Sequence, residues 1–196
     1  MTLEKEILVM IDKEEFEQVL VDLTKKLGKP RKRKRLGIDC SDYCRQDIDN
    51  RIRITDGQVE LMQKVGGWND EKRQELRLEV EDSPEMALRA FKIIQNLLIG
   101  DRVETCLIQH ENYIFETKDF EIKLTRQTGK KTVYNYEVEV KDHDLDPKKV
   151  SKELGLPDKA PVVHTPAFWT KWNDGVNLRA NDLSDEELLG IIRKFF

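Results

Sequence analysis

Cysteine is scarce in this chain, and its scarcity argues against two classes of protein. Only Cys40, Cys44 and Cys106 occur in 196 residues, too few and odd in number for a disulfide framework. Cys40 and Cys44 lie close together, but no second Cys or His pair follows at ligand spacing, so a zinc site is not predicted. This usage is typical of a reducing compartment, and we expect a cytoplasmic protein.

Long apolar runs are also missing. No segment approaches the roughly 20 apolar residues that a membrane-spanning helix needs. The N-terminus is acidic and mixed, unlike a signal peptide. We therefore expect a protein that has no membrane partner.

The chain lacks an excess of charge of one sign. Its 34 Lys and Arg nearly balance 38 Asp and Glu, which leaves a formal charge of −4. A protein dedicated to nucleic acids or membrane surfaces is usually clearly basic. The run Arg31-Lys32-Arg33-Lys34-Arg35 is locally basic, however, and keeps nucleic-acid binding open as an alternative.

Familiar catalytic motifs are absent. The sequence contains no phosphate-binding loop, dinucleotide fingerprint or nucleophile elbow. His110, His143 and His164 are scattered, without cysteine or carboxylate partners at ligand spacing, so each is interpreted as a surface or structural residue. The charged strands are therefore where candidate chemistry lies.

Alternation and turn signals predict an α+β chain. Strands are expected at 2–10, 36–40, 51–54, 59–65, 73–80, 102–109, 113–116, 120–126 and 133–140, with a turn at Glu111-Asn112. Helices are expected at 12–26, from 84 to about 98, at 147–154 and at 188–196, while 157–172 is expected to be irregular. Residues 1–155 are predicted to form the main domain, and 156–196 a C-terminal extension packed on it.

One face of the predicted strands is almost wholly charged. Because side chains alternate along a strand, this face carries Glu4, Glu6, Arg51, Arg53, Lys64, Glu75, Arg77, Glu79, Glu121, Lys123, Glu137 and Glu139. Arg33 and Arg35 likewise share one face of their segment. The opposite face is apolar and includes Ile52, Ile54, Leu61, Leu76, Leu78, Ile122, Leu124, Val138 and Val140.

Two architectures would explain this alternation. An open α+β sheet could carry helices on its apolar side and leave its charged side solvated. About eight antiparallel strands, however, tend to close on themselves because closure removes exposed edges. We expect a closed eight-stranded antiparallel β-barrel with helices packed on the outside, so that the charged face lines a tunnel.

A charged tunnel predicts a charged ligand, since a polar lining is costly to desolvate without one. Inward arginine and lysine suit phosphates, and glutamates beside them suit a hard cation such as Mg²⁺ or Mn²⁺. Both together suit a chelate of a metal with a polyphosphate.

These segments resemble the CYTH family, also called triphosphate tunnel metalloenzymes, over roughly residues 2–155. The family opens with a Glu-x-Glu-x-Lys strand, where this chain has Glu4 and Glu6. The Arg-x-Arg strand matches Arg51-Ile52-Arg53, and the terminal Glu-x-Glu strand matches Glu137-Val138-Glu139. Leu8 stands where the family has lysine, and Thr125 where it has aspartate.

The resemblance implies roles for the charged residues. Glu4, Glu6, Glu137 and Glu139 would hold the divalent cations and act in catalysis, with Glu75 as a further candidate ligand. Arg51, Arg53, Lys64 and Arg77 would bind the triphosphate, and Arg33, Arg35 and Lys123 are further candidates for phosphate contacts.

The predicted function is metal-dependent hydrolysis of an inorganic or organic triphosphate or polyphosphate. Two departures keep open a non-catalytic protein that binds polyphosphate or a nucleotide. One is Leu8, and the other is the strand after the central helix, Glu104-Thr105-Cys106-Leu107-Ile108, which has a basic residue only at its start, Arg102. Adenylyl cyclase-like and RNA 5′-triphosphatase activities, found in the same family, are further alternatives. The oligomeric state is left open, with a homodimer among the alternatives.

Overall fold

The computed structural model of the chain describes residues 5–42, 48–66, 74–97, 103–141, 144–163 and 165–196. Nine strands occur in this part: β1 (Lys5–Ile11), β2 (Arg31–Asp42), β3 (Ile48–Thr55), β4 (Gln58–Val65), β5 (Gln74–Glu79), β6 (Val103–Glu116), β7 (Phe120–Thr128), β8 (Val133–Val140) and β9 (Leu178–Arg179). The helices are α1 (Lys13–Leu27), α2 (Pro84–Leu97), α3 (Pro147–Glu153), α4 (Pro166–Gly175) and α5 (Asp185–Ile192). No helix among these residues is both long and apolar enough to cross a membrane.

The strands form one antiparallel sheet in the order β1-β8-β7-β6-β2-β3-β4-β5, with β9 paired to β6. The expected closed eight-stranded barrel is wrong, because β1 and β5 lie at the two ends of this order and do not pair with each other. A sheet can protect the unpaired backbone groups of an edge strand by covering them with another segment, as barrel closure does by removing the edge. The backbone N–H of Val162 donates to the carbonyl of Leu8 at 2.8 Å, so the C-terminal segment covers part of the β1 edge.

Two long strands join the halves of the sheet. β2 and β6 pair over their full shared length, from Arg31 opposite Ile114 to Asp42 opposite Val103. The expected turn at Glu111-Asn112 is wrong, because these residues lie within β6 and pair with both neighbouring strands. Pairing with a strand on each side outweighs the local preference of asparagine for turns.

The apolar residues form two clusters. One joins β2, β3, β4 and β6 to α2 and α5 and includes Ile38, Ile52, Phe91, Leu107 and Leu188. The other joins β1, β7 and β8 to α1 and α3 and includes Val9, Phe16, Phe115, Tyr136 and Val150. Leu107 and Phe115 are an even number of residues apart on β6, so both clusters and these four helices lie on one face of the sheet.

Helix α1 shows how the sequence directs this packing. Asp12 and Glu15 form a capping box, in which the Glu15 N–H donates to Asp12 Oδ1 at 2.8 Å and the Asp12 N–H donates to Glu15 Oε2 at 2.8 Å. Loss of such a cap costs about 1 kcal/mol. Phe16, Val19 and Leu23 are buried at helical spacing, and Gly28, at φ 89°, follows the last residue.

The C-terminal segment is tied to the sheet at several points. The Tyr136 hydroxyl donates to the Pro157 carbonyl at 2.8 Å, and the Lys130 N–H donates to the Val176 carbonyl at 2.7 Å. Gly129 permits this second approach, since a Cβ there would lie 2.1 Å from the Val176 carbonyl oxygen. The expected irregular stretch is wrong from residue 166 onward, because Thr165 caps α4. The division at residue 155 stays a prediction.

Candidate functional site

The face of the sheet opposite the four helices carries most of the predicted site residues, and we call it the charged face. Direct cross-strand partners share a face, so the register groups Glu6 with Glu139, Lys123 with Glu137, Arg53 with Glu60 and Arg77 with Met62. The alternation predicted from the sequence is thereby confirmed for the described strands. Glu4 lies outside the described residues.

The middle of the charged face is closed to solvent. Asn112 and Thr125 are each 2% exposed and Asn135 is 6% exposed, and the Thr125 hydroxyl donates to Asn112 Oδ1 at 2.8 Å. Polar side chains on a flat solvated sheet would be exposed. The middle of the charged face is therefore enclosed although the sheet is open, while Glu6 at one end and β5 at the other are exposed.

Three carboxylates converge at one end of this face. One oxygen from each of Glu6, Glu137 and Glu139 lies within 4.8 Å of the others. Glu6 is exposed, whereas Glu137 and Glu139 are half-buried. Clustered carboxylates repel one another unless a cation lies between them, and oxygen ligands are those that Mg²⁺ prefers. The residues present thus fit a divalent cation.

Lys123 lies beside this cluster. It is the cross-strand partner of Glu137 on one side, and its Nζ forms an ion pair with Glu137 Oε1. Leu8 is the cross-strand partner of Glu137 on the other side. The ammonium group next to Glu137 therefore comes from β7 rather than from β1. We call Glu6, Glu137, Glu139 and Lys123 the acidic end.

Besides Arg31 at the start of β2, six cationic side chains of the described strands occupy the other half of the charged face, on β2 to β5, and we call these six the basic end. They are Arg33, Arg35, Arg51, Arg53, Lys64 and Arg77. Arg53 Nη1 lies 3.1 Å from Glu60 Oε1, and Lys64 Nζ lies 3.4 Å from Glu75 Oε2. Both cations therefore have internal counter-ions.

Arg51 is held by two aspartates that the sequence interpretation did not select. It forms an ion pair with Asp49, and its Nε lies 3.5 Å from Asp39 Oδ1. That oxygen is buried and has no hydrogen bond in the described part of the chain. Burial raises the pKa of Asp39 to about 6, against the opposing effect of Arg51. Strand alternation from Arg35 through Gly37 was the signal that could have placed Asp39 on this face.

Arg35 differs from the other buried arginines. Its Nε donates to the Thr55 hydroxyl at 3.3 Å, and within the described ranges it has no carboxylate within ion-pair distance. Burial, with Arg53 and Arg33 nearby, lowers the pKa of Arg35 to about 10. The guanidinium stays charged at neutral pH and forms no ion pair with a carboxylate of the described residues, although Glu60 is near enough to oppose the lowering of its pKa. It is therefore available to bind an anion.

His110 is a second residue that the sequence interpretation missed. It is the cross-strand partner of Arg35 and of Gln127. Burial, with the charges of Lys123, Arg35 and Arg51, lowers the pKa of His110 to about 4, against a raising hydrogen bond with Gln127. Gln127 in turn donates to Asn177 Oδ1 at 2.6 Å. A neutral imidazole thus lies between the two ends.

Glu75 does not join the acidic end. It contacts Lys64, and its Oε1 accepts from Arg77 at 2.5 Å. Burial of Glu75 tends to raise its pKa, but the two cations together lower the pKa below its ordinary value. Its predicted metal-binding role has no support from the carboxylate cluster.

The basic run at the start of β2 is divided between the two faces of the sheet. Arg33 and Arg35 lie on the charged face, while Lys32 lies over the Tyr113 ring on the opposite face.

No family model and no curated protein matches this sequence. Solved structures do match its fold. The PH1819 protein of Pyrococcus horikoshii is 22% identical, with a TM-score of 0.57 over 85% of this chain and 97% of that one. HpAC1 from Hippeastrum, an adenylyl cyclase candidate with a dominant triphosphatase activity, is 15% identical, with a TM-score of 0.56 over 89% and 97%.

A third structure, a proposed adenylate cyclase from Bacillus halodurans, is 12% identical, with a TM-score of 0.58 over 86% of this chain and 95% of that one. These neighbours have CYTH-like folds. The chain therefore has a CYTH-like fold, as the order of its charged strands predicted.

Proposed function

We propose that the charged face binds a triphosphate together with a divalent cation and hydrolyses it. The observation that carries this proposal is the convergence of oxygens of Glu6, Glu137 and Glu139 to within 4.8 Å on the same face of the sheet as Arg35. In a polyphosphate chelated to a metal, the cation matches the carboxylates of this face and the phosphate oxygens match its arginines.

Glu6, Glu137 and Glu139 would hold Mg²⁺ or Mn²⁺, which would neutralise phosphate oxygens and orient a water molecule. Arg35 binds a phosphate oxygen through a guanidinium that forms no ion pair with a carboxylate in the described part of the chain. Lys123, paired with Glu137, bridges the carboxylates and the phosphate chain. Catalysis by positioning and charge stabilisation is what phosphoryl transfer requires. The HpAC1 activity and the shared fold support this reaction class.

The test is an assay of the purified protein with tripolyphosphate, thiamine triphosphate and ATP, with Mg²⁺ or Mn²⁺. We expect metal-dependent release of phosphate from at least one of them, lost in Glu137→Gln. Glu116→Gln is the matched control, because Glu116 also pairs with a lysine on this sheet, at 2.7 Å from Lys141, but is outside the cluster. A cyclic nucleotide with pyrophosphate from ATP would indicate cyclase chemistry instead.

A non-catalytic polyphosphate-binding protein is the second candidate. Leu8 beside Glu137 and the internal ion pairs of Arg51, Arg53 and Lys64 favour it, because both reduce the positive charge available to a transition state. This candidate predicts thermal stabilisation by tripolyphosphate without turnover. Turnover that Glu137→Gln abolishes would exclude it.

A further inference from the structure

The two edges of the sheet are unlike one another. The β1 edge accepts a backbone hydrogen bond from Val162. β5 pairs with β4 alone among the described strands, and all six of its residues are exposed. Exposed strand edges are usually covered or blunted because they pair with other chains. β5 contains no proline or lysine that would block such pairing.

The backbone direction of β5 fixes which residues can bond outward. The Val80 N–H donates to the Val59 carbonyl at 3.2 Å, so Val80 and, by alternation, Leu78 and Leu76 bond toward β4. The N–H and C=O groups of Glu75, Arg77 and Glu79 therefore point away from the sheet. An added antiparallel strand would form its hydrogen-bonded pairs with these three residues.

The central side chains of β5 are complementary to those of a second copy. Leu76 and Leu78 are 49% and 61% exposed on the apolar face. If two copies meet about a two-fold axis at Leu78, Arg77 of each lies opposite Glu79 of the other, and Leu76 lies opposite Val80. The one like-charge pair in this register, Glu75 with Glu81, lies beyond the end of β5. If the axis passes through Arg77 instead, the arginines oppose each other and so do the glutamates.

We propose that β5 is a homodimer contact, in which two copies pair antiparallel about Leu78 and join their sheets at this edge. A single six-residue strand buries less area than a standard interface. The dimer is therefore concentration-dependent. Arg77 also belongs to the basic end, but sedimentation measures the dimer without reference to the proposed triphosphatase activity.

Charge exchange tests the pairing. Arg77→Glu and Glu79→Arg each place like charges opposite one another and should be monomeric by sedimentation velocity, at concentrations where the wild type dimerises. Mixing these two variants should restore a dimer, because each copy then opposes the other with opposite charge. A wild type that stays monomeric at every soluble concentration, or a mixture that stays monomeric, would overturn the proposal.

A cysteine at the axis tests the register. Leu78→Cys should form an intermolecular disulfide under mild oxidation, because non-hydrogen-bonded partners on antiparallel strands have closely spaced Cβ atoms. Leu97→Cys is the matched control, since Leu97 is 75% exposed but lies on α2. Equal cross-linking of the two variants, or cross-linking by Leu76→Cys alone, would contradict this arrangement.

Discussion

The acidic and basic ends of the charged face differ in how their charges are arranged. At the basic end, the six cations share the face with the carboxylates of Asp39, Asp49, Glu60, Glu75 and Glu79. At the acidic end, oxygens of three carboxylates lie within 4.8 Å of one another, and the Lys123 ammonium group pairs with Glu137. A bound cation would therefore relieve a repulsion between like charges at the acidic end, whereas opposite charges already alternate at the basic end.

This difference assigns unequal weight to residues that look equivalent in the sequence. Arg53 and Arg35 are both arginines on the charged face, but only Arg53 has a carboxylate partner, at 3.1 Å. An anion must compete with Glu60 for Arg53. It meets no such competitor at Arg35, so substitutions at the two positions should differ in effect.

The largest effect is expected from Glu137→Gln. It removes one of three converging oxygens and leaves Lys123 without its partner. Metal affinity should fall by more than the roughly 10–100-fold that loss of an outer-shell group costs. Titration calorimetry with Mn²⁺ measures this, and Glu116→Gln should bind like the wild type. Equal affinities for both variants would show that the acidic end holds no metal.

His110→Gln should change the pH dependence of stability. The pKa of His110 is about 4 in the folded chain against an ordinary value of 6.5, so its neutral form stabilises the fold fully above pH 6.5. That stabilisation is lost as the pH falls to 4, at a cost of up to about 3 kcal/mol. Denaturant unfolding at pH 4.5 and 7 should show a smaller difference for His110→Gln than for the wild type.

Two matched variants test whether an existing ion pair makes an arginine of the basic end less available to a bound anion. Arg35→Gln should weaken tripolyphosphate binding by about tenfold, which corresponds to about 1.4 kcal/mol. Arg53→Gln should weaken it less, because that guanidinium already has Glu60. Calorimetric titration without metal compares them, and a greater loss in Arg53→Gln would reverse the assignment.

The smallest effect is expected from Leu8→Lys. Leu8 lies next to Glu137 on the charged face, and a lysine there adds a cation facing the phosphate path. Exposed charge pairs contribute about 0.2–1 kcal/mol, so tripolyphosphate affinity should rise by about 1.4–5-fold. Lys5→Leu on the same strand is a control for altered charge, since Lys5 lies on the other face. A fall in affinity for Leu8→Lys would mean that the side chain blocks the site.

The two faces of the sheet could be predicted from the sequence, because successive side chains of any strand point to opposite faces. Glu6, Arg51, Lys123 and Glu137 were placed correctly for this reason. Closure was predicted wrongly, because strand number alone does not decide whether the two edges of a sheet meet. Part of the β1 edge is instead covered by Val162, a residue distant in sequence. His110 was not placed on the charged face because a turn was expected at Glu111-Asn112. In the continuous strand, His110 and Asn112 lie two residues apart and therefore share a face.

The contacts that a side chain makes on its face of the sheet are harder to predict than the face on which it lies. The sequence does not indicate that Glu75 pairs with Lys64 and Arg77 while Arg35 has no carboxylate. These contacts depend on rotamers and on register between strands distant in sequence. The same is true of Asp39, whose burial follows from its place between β3 and β6.

A crystal structure with Mn²⁺ and imidotriphosphate, in which a bridging nitrogen prevents hydrolysis, tests the central claim most directly. Anomalous scattering would locate the metal without ambiguity. The account predicts Mn²⁺ coordinated by Glu6, Glu137 and Glu139, with the phosphate chain extending from it toward Arg35. Metal and triphosphate bound apart from each other, or away from the charged face, would contradict it.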